Sequence, residues 1–439
     1  MTKSARQQGS VLVLTLWLAA GLAAGALLAG HVAVMRYRRD AYQYATVCAD
    51  HASDAGLHYV EQILNTLYEK GEMPDTDSYT AEDIAVGNCR LWLLGRSADS
   101  DAEEPAFALQ DEAARVNLNT ATVEMLEALP GMTPELAAAI VDWRDEDDEI
   151  SADGAESETY LGREPPSMAK NAPFESVDEV RMLNAADVLL LSGRDRNRNT
   201  LIESWEKEIT QGTQERFQEV PDVGLLDLAT VYSREPSTTA EGGERTNLNG
   251  DEGAVRRVLQ ELFGQRAVEM ARAGLTPDPA SVLEFCVRAK LDRSEAEKAF
   301  DRFAVGTGQS AIRGRINVTN APADVLACIP GVGEDGADRL VSYREQHSDE
   351  LTTPLWIRDA LGDDAAIAAG PYVSSRTYQV AADVVVVGPC GQAFRRTRFV
   401  FDLTSGSPVL VSRRDLTHLG WPLGAELHAS LISQKRAPL

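Results

Sequence analysis

Residues Val11 to Met35 read "VLVLTLWLAAGLAAGALLAGHVAVM" and carry no charge apart from any protonation of His31. A bilayer offers no water to backbone amides, so an apolar run of this length must satisfy them within a helix. At ~1.5 Å per residue the run extends about 37 Å, enough to cross a hydrocarbon core of roughly 30 Å. It is also longer than the roughly 7–15 apolar residues of a secretory signal. Lys3 and Arg6 precede it, and Arg36, Arg38 and Arg39 follow it. With basic residues on both flanks, charge alone does not orient the span. Two readings fit: an ordinary signal anchor, or a short basic leader ending in Gly9 and cut before Ser10. The second leaves the apolar helix on the mature protein.

The remainder is long enough for two or three domains, at 439 residues in all. Lys+Arg 42 against Asp+Glu 68 gives a net charge of -26. Such a charge repels nucleic acid and anionic lipid over most of the surface. Five scattered cysteines (Cys48, Cys89, Cys286, Cys328, Cys390) form no CxxC pair, which argues against a disulfide scaffold or a thiolate metal site. The six histidines are dispersed, with His31 in the apolar run and His51 and His58 on one early helix. No Ser/His/Asp or Cys/His arrangement is visible, so the chain does not read as an enzyme.

One phrase occurs twice. "RVNLNTATVEMLEALPGMTPELAAAIVDWR" begins at Arg115, and "RINVTNAPADVLACIPGVGEDGADRLVSYR" begins at Arg315. Each opens on capping residues (Asn117, Asn119 and Thr120; Asn317, Thr319 and Asn320), which satisfy the free amides of a helix start. Each then places Leu126 or Leu326 before a Pro-Gly turn, and closes a second helix on Trp143-Arg144 or Tyr343-Arg344. A helix, a glycine turn and a helix make a helix-hairpin-helix. A fainter copy without the proline turn opens at Arg245 and runs to Gly264. This motif can hold DNA phosphates on its backbone amides. The copy at Gly331 keeps a GxG. The copy at Gly131 has lost it and is followed by the acidic run Asp145 to Glu149, so a helical packing unit is the better reading.

Around these phrases the pattern is mixed. From Arg36 to about Lys70, Ala45, Cys48, Ala52, Ala55, Tyr59, Ile63 and Leu67 recur at helical spacing. "NCRLWLLG" and "AFALQDE" read as short strands around an acidic loop from Ser97 to Pro105. Asp251 to Phe303 reads as two or three helices. After Ser374, "RTYQVAADVVVV", "GQAFRRTRFVFDL" and "SPVLVSRRDL" alternate and are β-branched, as in a three-strand antiparallel meander. The last twenty or so residues show no pattern and read as a tail.

Two stretches are rich in oxygen ligands. In "DRNRNTLIESWE", Asp195, Asn197 and Asn199 hold places one, three and five of an EF-hand loop, and Leu201 offers its carbonyl at seven. Glu203 stands at nine and Glu206 at twelve, a spacing that suits Ca2+. Thr200 occupies the place usually held by Gly, which predicts an altered or strained turn. The second stretch, "DWRDEDDEISADGAESETY", crowds Asp142, Asp145, Asp147, Asp148, Glu156 and Glu158 into one loop.

Together the basic leader ending in Gly9, "DEAARVNLNTA", "LPGMTPELAAAIVDWRDEDDE", "GAESETY" and "NAPFESVDEVRML" resemble the minor pseudopilin K family of type II secretion (the general secretion pathway protein K family). The likeness runs from the leader to the final strands. "RDRNRNTLIESWE" and "LATVYSREPSTTAEGGERTNLN" resemble a longer subgroup with an inserted calcium loop. The resemblance implies an α+β fold, a pilin-like domain interrupted by a large all-α domain of helix-hairpin-helix (SAM-like) repeats. The expected boundaries are a prepilin leader at 1–9, a transmembrane helix at 10–35, and pilin-like parts at 36–112 and 372–415. The helical insert would occupy 113–371 and a tail 416–439. The resemblance also implies calcium in the acidic loop, with ligands drawn from Asp142, Asp145, Asp147, Asp148, Glu156 and Glu158. Expected partners are other minor pseudopilins at the filament tip, a prepilin peptidase cutting between Gly9 and Ser10, and inner-membrane components of the secretion machinery. Nucleic acid is not expected. Localisation would be the inner membrane, single-pass through 11–35, with the large C-terminal region in the periplasm.

One departure agrees with a tip position. Most pilin-like subunits carry Glu at the fifth mature position, facing a neighbour's terminal amine. Here that place is Leu14, and a subunit with nothing above it has no amine to neutralise. The competing readings are a membrane-anchored helix-hairpin-helix protein for DNA binding or uptake, and a signal-anchored calcium-binding adhesin.

Overall fold

The computed structural model describes residues 5–69, 71–96, 104–211, 220–306 and 311–433. Residues 1–4 of the expected leader, most of the acidic loop from Ser97 and the end of the expected tail (434–439) lie outside the described residues.

The apolar run and the helix expected after it are one element, α1 (Ala5–Leu67). From Val11 to Asp40 every residue is exposed, and the helix is long and apolar enough to cross a membrane. Beyond Ala45 it lays one face on a sheet. The buried positions are Ala45, Ala49, Ala52, Ser53, Gly56, Val60, Ile63 and Leu64. The stripe expected from the sequence is rotated from this: Cys48, Ala55, Tyr59 and Leu67 lie at its margin. Hydrophobicity alone passes over Ser53 and Gly56, whose small size sets the face by close approach. A Cβ on Gly56 would come within 2.7 Å of Leu91 and Val384 on the sheet. Gly56→Ala is therefore expected to cost about 1–3 kcal/mol by overpacking. A denaturant titration of the variant, showing a lower midpoint with unchanged slope, checks this.

The sheet is built from β1 (Ile84–Val86), β2 (Cys89–Leu94), β3 (Gln110–Asp111), β4 (Gln379–Val387), β5 (Phe394–Asp402) and β6 (Val409–Asp415). Its order is β1-β2-β4-β5-β6, with β3 also on β4, and every pairing is antiparallel. β4 is buried along its whole length. Alternation sends Val380, Ala382, Val384 and Val386 toward α1, and Val385 and Val387 to the opposite face. The strand expected in "AFALQDE" shrinks to β3 and a bridge between Leu94 and Phe107, and β1 is an addition. The segment read as a patternless tail folds back instead, through a helix at Gly424–Ser433. Trp421, Leu423, Leu427 and Leu431 pack on Trp92, Leu94, Val385 and Val387. Leu423, Leu427 and Leu431 recur every four residues, a helical spacing that the tail reading passed over.

Between β3 and β4 one device is used three times. Val116–Asn117 pairs in parallel with Ala229–Thr230, Thr246–Asn247 with Phe303–Ala304, and Ile316–Asn317 with Val373–Ser374. In each, the Asn side chain accepts the amide two residues on: Asn117 from Asn119, Asn247 from Asn249, Asn317 from Thr319. Each bridge thus closes a unit of helices onto its own start. In the outer units the closing arginine has one task. Arg144 donates to the carbonyls of Leu118 and Ala121, and Arg344 to those of Val318, Thr319 and Ala321. The turn glycines are packing residues. Gly131 faces Pro221, and Gly331 leaves 2.7 Å between its Cβ position and Ala368. The middle unit has four α-helices between Glu252 and Arg302, more than its pattern suggested.

The apolar residues of the helical region cluster separately from those on the two faces of the sheet. A buried polar seam joins them. Glu112 accepts from Arg398 at 2.6 Å and from Thr230 at 2.5 Å. Asp111 accepts from Thr377, Asn317 and Asn320 at 2.6, 2.8 and 3.0 Å. Arg198 grips Asp227 with Nε and Nη2, at 2.7–2.9 Å.

Candidate metal centres

The first centre stands at the end of the Pro134–Arg144 helix. Thr133 caps that helix by accepting the Leu136 amide, and Pro134 fits its first turn. Leu136, Ala137, Ile140 and Trp143 are buried, and Trp143 meets Tyr160 edge-on at 5.2 Å. Asp142 and Asp145 therefore project from the helix C-terminus, where the helix dipole disfavours anions. Ser151 and Ala155 donate their amides to Asp142 Oδ2 at 3.2 and 2.8 Å. Gly154 passes so close that a Cβ there would meet this oxygen. Glu156 arrives at the start of the Ser157–Leu161 helix without capping it.

One oxygen from each of Asp142, Asp145 and Glu156 can be chosen so that all lie within 4.8 Å of one another. Asp142 Oδ1, Asp145 Oδ1 and both Glu156 oxygens are buried with no hydrogen-bond partner in the protein. Burial, then Asp142 and Asp145, pushes the Glu156 carboxyl up to about 7. Burial and then Asp147 and Asp142 raise that of Asp145. Carboxylate oxygens that no donor in the protein satisfies fit a hard cation, and an all-oxygen set favours calcium over a softer metal. The other three candidate ligands of this loop, Asp147, Asp148 and Glu158, are exposed. Asp148 accepts from Ser157 and Asn171, and Asp147 from the Glu149 amide. Nothing in the sequence separated these three from the converging three, because the loop fold between Glu146 and Ala155 decides it.

The second centre is the loop from Asp195 to Glu206. Asp195, Asn197, Asn199, Leu201 and Glu206 are buried, and Glu203 is half-buried. Asp195 accepts the amides of Asn199 (3.0 Å) and Thr200 (2.6 Å). Glu206 reaches back to accept those of Arg196, Asn197 and Glu203 at 2.8–3.3 Å. Thr200 takes φ 68° and Arg198 φ 58°, so Thr200 adopts the left-handed turn in place of glycine. Glu203 is held by Asn197 Nδ2 and Trp205 Nε1. Asn199 is fully buried and its Nδ2 finds no partner in the protein. Burial and then Asp227 push the Asp195 carboxyl up to about 7, and burial raises that of Glu206.

Sequence reasoning missed what braces this loop. Arg396 on β5 donates to the carbonyls of Asn197 and Arg198, the latter at 2.7 Å. Its guanidinium also clasps Asp383 of β4 at 2.6–3.0 Å. A lone Asp in "VAADVVVV" opposite alternating arginines in "FRRTRF" was the available signal.

Comparison with known proteins places this chain near one class. A family model described as Type II secretion system (T2SS), protein K matches residues 98–191, the segment that carries the first centre. The Type II secretion system protein K of Klebsiella pneumoniae is 34% identical over 84 residues, 18% of this chain and 26% of that protein. The match thus spans about a quarter of that relative's length. Among solved structures, a chain of the GspK-GspI-GspJ complex from the enterotoxigenic Escherichia coli type 2 secretion system is 13% identical, with TM-score 0.39. That alignment covers 86% of this chain and 97% of the other.

Proposed function

We propose that this chain is a minor pseudopilin of a type II secretion system, standing at the tip of the pseudopilus and assisting export of folded proteins across the outer membrane. The observation that carries the reading is the first centre. Its three converging carboxylates fall within the segment similar to protein K, and their unpartnered oxygens are built for a cation rather than for solvent. The continuous α1, apolar and exposed before it joins the sheet, supports a membrane helix that feeds directly into the folded domain. The role is structural and associative rather than enzymatic. In this reading residues 1–9 are a leader and 10–35 span the inner membrane. The rest stands in the periplasm, with a helical insert over 113–371 built from helix-hairpin-helix units. Calcium occupies the first centre and the Asp195–Glu206 loop. Other minor pseudopilins are the partners at the tip, below a cap that carries Leu14 where stacking subunits carry Glu.

Intact-mass analysis of protein purified from membranes is expected to show residues 1–9 missing and Ser10 at the terminus, with other pseudopilins co-purifying. A cut near Gly30 or beyond would make this a secreted protein and end the reading. Recovery without any pseudopilin would remove its associative half.

A further inference from the structure

The helical region and the sheet keep separate apolar cores, so what joins them is the polar seam. The Asp195–Glu206 loop lies in that seam. Its carbonyls at Asn197 and Arg198 point outward to Arg396, and Asn197 Nδ2 donates to the Trp421 carbonyl at 3.2 Å. Arg198 meanwhile ties the same loop to Asp227 in the helical region. Arg396 is almost fully buried and paired with Asp383, so it cannot follow the loop if the loop moves. A metal that fixes the loop therefore fixes two carbonyls on which a buried guanidinium depends.

Resting on the calcium reading of this loop, we propose that it is a calcium-dependent latch, whose occupancy fastens the helical region to the face of β4 and β5 and to the segment around Trp421. Two observations carry this beyond a local metal site. The first is that Arg198 of the loop binds Asp227 of the helical region with its side chain while its carbonyl accepts from Arg396 of the sheet. The second is that the outward face of the loop is spent on the sheet rather than on solvent. Binding couplings are reciprocal: if calcium tightens the Arg396 contacts, those contacts must tighten calcium.

The test uses the full chain in detergent with calcium as the only added ligand. Hydrogen exchange is read over 380–387, 394–402 and 417–431, with calcium and with chelator. Calcium is expected to slow exchange in all three segments, and Glu206→Gln is expected to abolish that effect. Calorimetric titration is then compared for the natural chain, Glu206→Gln, and the paired change Asp383→Leu with Arg396→Leu. The pair replaces two buried charges together and so avoids stranding either one. It is expected to weaken calcium at the loop about tenfold while leaving the Asp142 centre unchanged. Unchanged loop affinity in the paired variant, or sheet exchange indifferent to calcium, would overturn the latch while leaving a local calcium site. A titration of Glu206→Gln identical to that of the natural chain would overturn calcium at this loop, and the latch with it. Should the paired variant not fold, the exchange comparison decides alone.

Discussion

Removing calcium from the purified protein is expected to lower its melting temperature by several degrees at pH 7.5 and by much less at pH 5. A ligand bound only by the folded state adds RT ln(1 + [L]/Kd), about 2.7 kcal/mol per site at a hundredfold excess. The pH dependence follows from the carboxyls of Glu156 and Asp195, both raised to about 7 without a cation. Both lie above their ordinary values, so between about pH 4 and pH 7 the metal-free fold holds protons that the unfolded chain has lost. Stability of the metal-free form then falls as pH rises through that window, and none of this penalty exists below it. Calcium replaces those protons, so its advantage is full above pH 7 and shrinks as acid competes for the same oxygens. Magnesium should do far less, since it demands a smaller octahedral shell and keeps its waters. Calorimetric melting at the two pH values, with calcium, magnesium and chelator, checks this. Equal melting in calcium and chelator at pH 7.5 would show that neither centre binds.

Glu112→Gln is expected to lose about 3–5 kcal/mol, the usual cost of breaking a buried ion pair from one side. The side chain is 2% exposed and shares its charge between Arg398 and Arg115. Burial alone would push its carboxyl up, but Arg115 and Arg398 together outweigh that and hold it at about 2. Its folded value is below the ordinary one, so its stabilising effect is complete above about pH 4.5 and fades as pH falls toward 2. The gap between natural and substituted protein should therefore narrow steadily below pH 4.5. Urea titrations at pH 7 and pH 3 measure both gaps, and a gap independent of pH would mean that shape rather than charge sustains the junction.

Much of this architecture was legible because periodicity and local chemistry agreed. The apolar run, the helix after it, the three long strands and the repeated phrase all have residues whose spacing matches their surroundings. The middle unit was only faintly visible, since it keeps the Asn247 bridge but replaces the proline turn with the Glu252–Phe263 helix. The metal loops were half legible. Asp195, Asn197, Asn199 and Glu206 could be placed by spacing because their loop is regular. The trio of Asp142, Asp145 and Glu156 could not be told from its exposed neighbours, since an irregular loop decides which carboxylates turn inward. What the sequence could not offer was the seam. Arg396 meets Asn197, and Arg398 meets Glu112, across some two to three hundred residues, and no local rule pairs them.

The order of strands also bears on how such a chain comes into being. β2 and β4 are neighbours, yet β2 ends at Leu94 and β4 begins at Gln379. At synthesis rates of ~5–20 residues per second, roughly a quarter of a minute to a minute separates them. Throughout that interval the inner face of α1 and the β1–β2 hairpin have nothing to close on, while the helical units, each bridged onto its own start, can already form. The middle of the chain is thus positioned to mature before its two ends. The N-terminal part must wait with an open strand edge for the last sixty or so residues, and that delay is when a holding factor would matter most.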